Sequence, residues 1–402
     1  MFCNYCGTSN PAVARFCRKC GKPIASSPPP SSATPIPIDP PPVDPAPGTA
    51  LVAQVIPPPI AVVALLPVSS DPYAVQPQSR PHRRMIAVIA ASLVVLAVGI
   101  AIFIRARSDR PRTLEGHNGF ISSIAFSPDG RMLASSDSDG NVKLWDTVRS
   151  QWLRTFTSRP NTDWVTFSPD GHTLATWGSS SGHVVILWDT SSGTQTRVLG
   201  DSATSVGEPA FSPDGHLLVT DVASPGSDDR GLRLWDAASG SELRRFPGYM
   251  DAVFGPDGKV LAAWNKDHSI SLLDVESGNE VRRFGGHKGF LPPDVVFSPD
   301  GRLLASTNDN AVVTVWDVAS GNKVRDIADT AEVRGIAFSP DSRLLASGSE
   351  DHTIKLWEIS SGNKVRTLSG HSDSVNCVAF SSDGHLLASG GADGNVILWP
   401  LP

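Results

Sequence analysis

A Trp-Asp pair or a near relative recurs seven times through the last three-quarters of this chain, at a nearly constant pitch. The seven are Trp145-Asp146, Trp188-Asp189, Trp235-Asp236, Leu273-Asp274, Trp316-Asp317, Trp357-Glu358 and Trp399-Pro400, separated by 43, 47, 38, 43, 41 and 42 residues. A period in the low forties, with a Gly-His upstream of the Trp, marks a blade of four short strands in a β-propeller. The unit at 335–368 shows the grammar: Gly335–Phe338, Leu344–Ser347, Thr353–Trp357 and Lys364–Leu368 are short runs rich in β-branched, Leu and aromatic residues. Pro, Asp, Ser and Gly turns separate them, as strands require. A Ser-Pro-Asp-Gly turn occurs intact at 127–130, 168–171, 212–215 and 298–301, and a Ser-Gly turn follows the Trp-Asp pair in five units. Pro presets φ at the first central position of such a turn and Gly takes the left-handed one.

Strands this short gain stability only by stacking into a larger body, so an all-β fold of seven blades in a ring is expected. The third strand of the last unit ends the sequence, and the missing outer strand is available as Arg112-Thr113-Leu114 at the other end of the repeat region. Pairing it there would join the ends of the ring and cover an open sheet edge.

Residues 112–402 resemble the WD-repeat propeller family. The resemblance implies a hydrogen-bonded tetrad of His, Ser or Thr, Asp and Trp in well-formed blades. Blade one offers His117, Ser135, Asp139 and Trp145, and blade seven offers His371, Ser389, Asp393 and Trp399. Blade five has His287, Ser306, Asn310 and Trp316, with Asn in place of Asp, while blade six keeps Ser347, Asp351 and Trp357 without the His. Blades two, three and four have no Gly-His at their entry.

Ser, His and Asp near one another invite a hydrolase reading. Repetition argues against it, because a buried polar network recurs wherever a blade needs pinning, whereas a catalytic site is not copied round a ring. No Gly-x-Ser-x-Gly elbow, Walker loop or His-Glu-x-x-His is present either, so no catalytic residue is expected and the chain reads as a non-enzyme.

Four of the five cysteines fall in the first 24 residues, as Cys3-x2-Cys6 and Cys17-x2-Cys20, each pair followed by Gly. That spacing suits one structural zinc ion held by four thiolates, with no open position for chemistry. The segment resembles a short zinc ribbon. Residues 25–84 form a Pro-rich linker, expected to be disordered, with 17 of the chain's 34 prolines between 26 and 81, a composition that makes an extended tether rather than a core.

Met85–Ile104 holds twenty residues with no charge and Ser92 as its one polar side chain, between Arg83-Arg84 and Arg105-Ala106-Arg107. At about 1.5 Å per residue it reaches roughly 30 Å, enough to cross a hydrocarbon core as one helix. Residues 105–111 make a short basic linker. Arginines flank both ends, so charge alone leaves the orientation undecided. Zinc-binding thiolates favour a reducing compartment, which puts the ribbon in the cytoplasm and the propeller outside it.

The net charge of −6 disfavours a nucleic-acid surface. Trp177 and Trp264 take equivalent places in blades two and four, one residue beyond the tetrad slot and flanking the extended loop Val222–Gly231 of blade three, which makes them candidate anchors for a protein or peptide. The alternative is that both fill gaps left by missing tetrads. The expected function is a membrane-anchored, non-enzymatic scaffold that binds proteins through the propeller. The alternative is a membrane-bound sensor whose propeller takes a small extracytoplasmic ligand and signals through the ribbon.

Overall fold

The computed structural model describes residues 110–157, 162–178, 184–200, 205–223, 230–285, 294–308 and 311–402. Its strands form seven four-stranded antiparallel sheets, and each sheet takes four strands in sequence order except the last. Blade one comprises β2 (Ile121–Phe126), β3 (Met132–Asp137), β4 (Asn141–Asp146) and β5 (Gln151–Thr157). Blade seven is built from β26 (Val375–Phe380), β27 (Leu386–Gly391) and β28 (Val396–Pro400), and its outer strand is β1 (Arg112–Leu114). β1 pairs with β28 in the register Arg112 to Leu398 and Leu114 to Val396. The two ends of the repeat region are thus hydrogen-bonded into one sheet, as the sequence leads one to expect.

The apolar side chains explain why the sheets stack. Among the described residues the core divides into clusters that each join two neighbouring blades. Blade one meets blade two through Val142, Leu144, Phe156, Val165, Leu174 and Trp188. Blade seven meets blade one through Leu114, Ile121, Leu133, Trp145, Val396 and Leu398. No blade holds a core of its own, so each depends on its neighbour for burial, and the ring has to close for the last faces to be covered. The repeated Trp lies against the outer strand of the preceding blade: the rings of Phe156 and Trp188 are 5.7 Å apart and those of Phe284 and Trp316 5.9 Å, both tilted, within the favourable range for aromatic pairs.

The Ser-Pro-Asp-Gly turns, and their variants at 339–342 and 381–384, are held from inside. Ser127 donates its hydroxyl to Asp129 at 2.6 Å and accepts the amide of Met132 at 2.9 Å, and Ser168, Ser339 and Ser381 repeat both bonds. The serine bond holds the Asp129, Asp170, Asp341 and Asp383 carboxyls below the ordinary carboxylate range.

The four-cysteine segment, the Pro-rich linker and Met85–Ile104 lie outside the described residues. Among the described residues no helix is long and apolar enough to cross a membrane, and no His, Cys, Asp and Glu group is arranged to hold a metal ion.

Candidate functional site

The polar residues that resemble a catalytic triad are buried and bonded to one another. In blade one the indole N–H of Trp145 donates to the Ser135 hydroxyl oxygen at 2.7 Å. His117 Nε2 lies 2.6 Å from the same oxygen, and its Nδ1 lies 2.6 Å from Asp137 Oδ2. Burial pushes the imidazole pKa down, outweighing the raising effect of Asp137, so the ring is neutral near pH 7. A neutral ring that donates from Nδ1 to the carboxylate must accept at Nε2, which directs the serine hydroxyl proton to it. Ser135 is wholly inaccessible, so its oxygen has no path to a substrate. Blade seven repeats the arrangement with Trp399, Ser389, His371 and Asp393, at 2.8, 2.7 and 3.0 Å in turn.

One residue of this expectation is corrected. The carboxylate in blade one comes from Asp137, not Asp139, whose own backbone amide donates to Asp137 Oδ1 at 3.1 Å. Asp137 closes the β3–β4 hairpin by accepting the Asn141 amide at 2.8 Å and points its other oxygen at His117. Blade seven has Gly391 at the matching place. A β-carbon there would press on both Asp393 and the His371 ring, so the missing side chain is what lets Asp393 reach in.

Blade six, which lacks the histidine, uses a different set. Trp357 donates to Ser347 at 2.9 Å, and Ser347 donates onward to Asp329 at 2.8 Å. Lys355, a side chain only 3% exposed, places its ammonium 2.5 Å from both Asp329 and Asp351. A carboxylate thus stands where the imidazole would be, and a buried lysine balances it. Blades two and three keep a shorter version, in which Trp188 donates to Thr176 at 2.9 Å and Trp235 to Thr220 at 3.0 Å. In blade five Trp316 donates to Ser306 at 3.0 Å, while His287 and Asn310 lie outside the described residues. Blade four has Leu273 instead of Trp, and Asn265 and Glu280 hold Ser271 at 2.8 and 2.6 Å.

The two tryptophans considered as partner anchors do not present themselves to solvent together. Trp264 is 3% exposed and belongs to the core joining blades four and five. Trp177 is half-buried against the core between blades two and three and donates its indole N–H to the Val206 carbonyl of the next blade. Both are packing residues, because the residue after the tetrad serine points between blades rather than out of the ring.

The sequence reading missed an acidic arc in the central channel. A cavity of about 490 Å³ runs between the first strands of the blades. Glu208, Asp251 and Asp294 line it from blades three, four and five, with Trp164, Ser123, Gly335 and Cys377 at the same level of the other four. All seven stand four residues before the first residue of the Ser-Pro-Asp-Gly turn or its variant, so reading the repeats in register would have shown three consecutive acids on one wall. Burial pushes the Asp294 and Asp221 carboxyls up to about 7, with Asp251 raising each further. It also holds Glu208 and Asp251 above their ordinary range, Glu208 with help from neighbouring carboxylates. Asp221 rests directly over Gly207, where a β-carbon would collide with it. Cys377 lines the same cavity half-buried, and desolvation pushes its thiol up to about 12, far from the thiolate character that reactivity needs.

Comparison with known proteins agrees with this architecture. The WD domain, G-beta repeat, family model matches at residues 108–146, 193–236, 278–317, 321–358 and 362–400. The zinc-ribbon domain model matches at residues 2–24. Transcription initiation factor TFIID subunit 5 of Caenorhabditis elegans is 29% identical over 37% of this chain and 22% of its own length. The small ribosomal subunit protein RACK1 of Schizosaccharomyces pombe is 30% identical over 30% of this chain and 38% of its own. Human striatin-4 is 27% identical over 38% and 21%. The chain therefore spans less than half the length of these relatives. Five matched repeats, seven blades of one pattern and the buried Ser–Trp bonds together show that this chain belongs to the WD-repeat propeller family and carries a zinc-ribbon domain at its N-terminus.

Proposed function

We propose that the protein is a membrane-anchored, non-enzymatic scaffold whose propeller docks other proteins. The observation that carries this reading is the burial of the Ser–His–Asp groups: in blades one and seven the Trp, Ser, His and Asp side chains are hydrogen-bonded to one another. What could be reactive is used as internal bracing, and recognition is left to the outer faces of a rigid ring. Two of the relatives named above carry names that make them a subunit of a transcription initiation factor and a protein of the small ribosomal subunit, which supports a docking role.

In this reading Cys3, Cys6, Cys17 and Cys20 hold one structural zinc ion in a small cytoplasmic module. Residues 85–104 cross the bilayer once and the propeller lies on the far side. Labelling of an introduced surface cysteine, Val324→Cys, in intact cells by a membrane-impermeant maleimide tests the orientation. Labelling before lysis is expected, and labelling only after lysis overturns it. Photo-crosslinking from exposed propeller positions in those cells tests the docking role. A defined protein trapped from one face is expected; retention of a small molecule in its place would support the sensor.

A further inference from the structure

Blade one departs from the other blades at its outer rim. In the turn after the Trp-Asp pair, Val148 stands where blades two to six have Ser191, Ala238, Glu276, Ala319 and Ser360. At the start of the fourth strand, Trp152 stands where they have Gln195, Glu242, Glu280, Lys323 and Lys364. Both blade-one residues face solvent, Val148 at 73% and Trp152 at 59% exposure. An exposed tryptophan beside an exposed valine, at places the other blades keep polar or small, is a feature that folding does not require.

The same rim is where the chain enters the propeller. Arg112, the first residue of β1, donates from Nη1 to the Val148 carbonyl at 2.9 Å. Only residues 105–111 separate Arg112 from Ile104, the end of the apolar segment, and the eight Cα-to-Cα steps between the two span at most about 29 Å. Arg149, next to Val148, is 72% exposed at its side chain but is ion-paired with Asp146 at 2.8 Å, so the positive charge on this side comes from Arg105, Arg107 and Arg110 in the connecting residues. Tryptophan is the side chain that prefers the membrane–water boundary, and arginine pairs with lipid phosphates there.

We propose that the outer rim of blade one rests on the lipid bilayer, with Val148 and Trp152 entering its headgroup region. This rests on the reading of residues 85–104 as a membrane span. It sets the tilt of the propeller: the rim with the Trp-Asp turns of blade one faces the lipid, and the Gly-His loops, at the opposite ends of the strands, face away toward partners.

The test uses the full chain reconstituted in vesicles of phosphatidylcholine and phosphatidylglycerol, with or without lipids brominated near the headgroup, which quench tryptophan on contact. Trp152 is one of ten tryptophans, so the quantity read is the part of the emission quenched in wild type and spared in Trp152→Phe. Val148→Trp should add a quenched component, and Val324→Trp, exposed on blade five, should not. Equal quenching of wild type and Trp152→Phe, or of Val148→Trp and Val324→Trp, would overturn the proposal while flotation of the chain with the vesicles at alkaline pH left the anchor standing. A chain that fails to float would overturn both.

Discussion

The guanidinium of Arg154 lies across the face of Gly193 and donates to the carbonyl oxygens of Ser191 and Ser192 in the neighbouring blade. Arg197 with Gly240, Arg244 with Gly278 and Arg325 with Gly362 repeat the relationship. Arg112, from the strand that closes the ring, does the same for Val148. The Ser-Gly turn is therefore a docking point for the preceding blade's arginine. Its glycine is needed twice, for a φ of 74° at Gly193 and for the room the arginine takes.

That relationship can be separated into its parts. Gly193→Ala incurs the left-handed backbone cost of about 1 kcal/mol and displaces Arg154 as well. Gly248→Ala has a similar φ of 89° with nothing near its added carbon. In urea unfolding, Gly193→Ala should be the less stable of the two by at least about 1 kcal/mol, the worth of an ordinary hydrogen bond. Equal losses would show that the arginine contributes nothing to joining the blades.

Lys355 offers a sharper case. Its ammonium is shared by Asp329 and Asp351, and Asp329 is 1% exposed at its side chain. Lys355→Met would leave the Asp329 charge buried without a counter-ion, a situation that costs about 3–5 kcal/mol. Replacing both, as Lys355→Met with Asp329→Asn, should restore much of that loss. Calorimetry of the single and double variants decides it, and a single variant as stable as wild type would contradict the pairing.

Two buried carboxyls, Asp294 in the channel and Asp221 over Gly207, fix the sign of a pH dependence. Asp221 and Asp294 have folded-state pKa values of about 7 against an ordinary 3.8. For a raised pKa the stabilising contribution is complete below the unfolded value and is lost as pH rises through the folded one. Their contribution should thus fall between about pH 4 and pH 7, by roughly 1–2 kcal/mol per group once screening by the surroundings is allowed for. His117 and His371 act in the opposite sense. Their depressed values mean a contribution present above about 6.5 and lost as pH falls. Asp294→Asn isolates the carboxyl part: relative to wild type it should gain stability between pH 5 and pH 8. A difference from wild type that did not change with pH would contradict the shift.

The ring was legible in the sequence because the period, turn chemistry and strand composition all repeat, and a repeated error in seven units is improbable. The blade-seven network at His371, Ser389, Asp393 and Trp399 follows the family pattern in full. Asp139 misled because spacing from Trp145 cannot show that Asp137 has already filled the hole that Gly391 leaves open in blade seven. Asp329 in blade six stood 18 residues before Ser347, the same separation as His117 from Ser135, but a carboxylate is recognisable there only once Lys355 is seen beside it. Trp177 and Trp264 looked like a shared surface because alignment gives position along a strand, whereas burial depends on how far the next blade leans across it.

Equilibrium unfolding of Ser135→Ala and Ser389→Ala, compared with wild type, bears most directly on whether the buried Ser, His and Asp side chains are bracing. Each substitution leaves a tryptophan N–H and a histidine nitrogen buried with their shared oxygen removed, at a cost of about 2–4 kcal/mol. Similar losses of that size in both variants, with the trapped propeller partner unchanged, are expected. Unaltered stability in either variant, accompanied by loss of a chemical turnover, would contradict it.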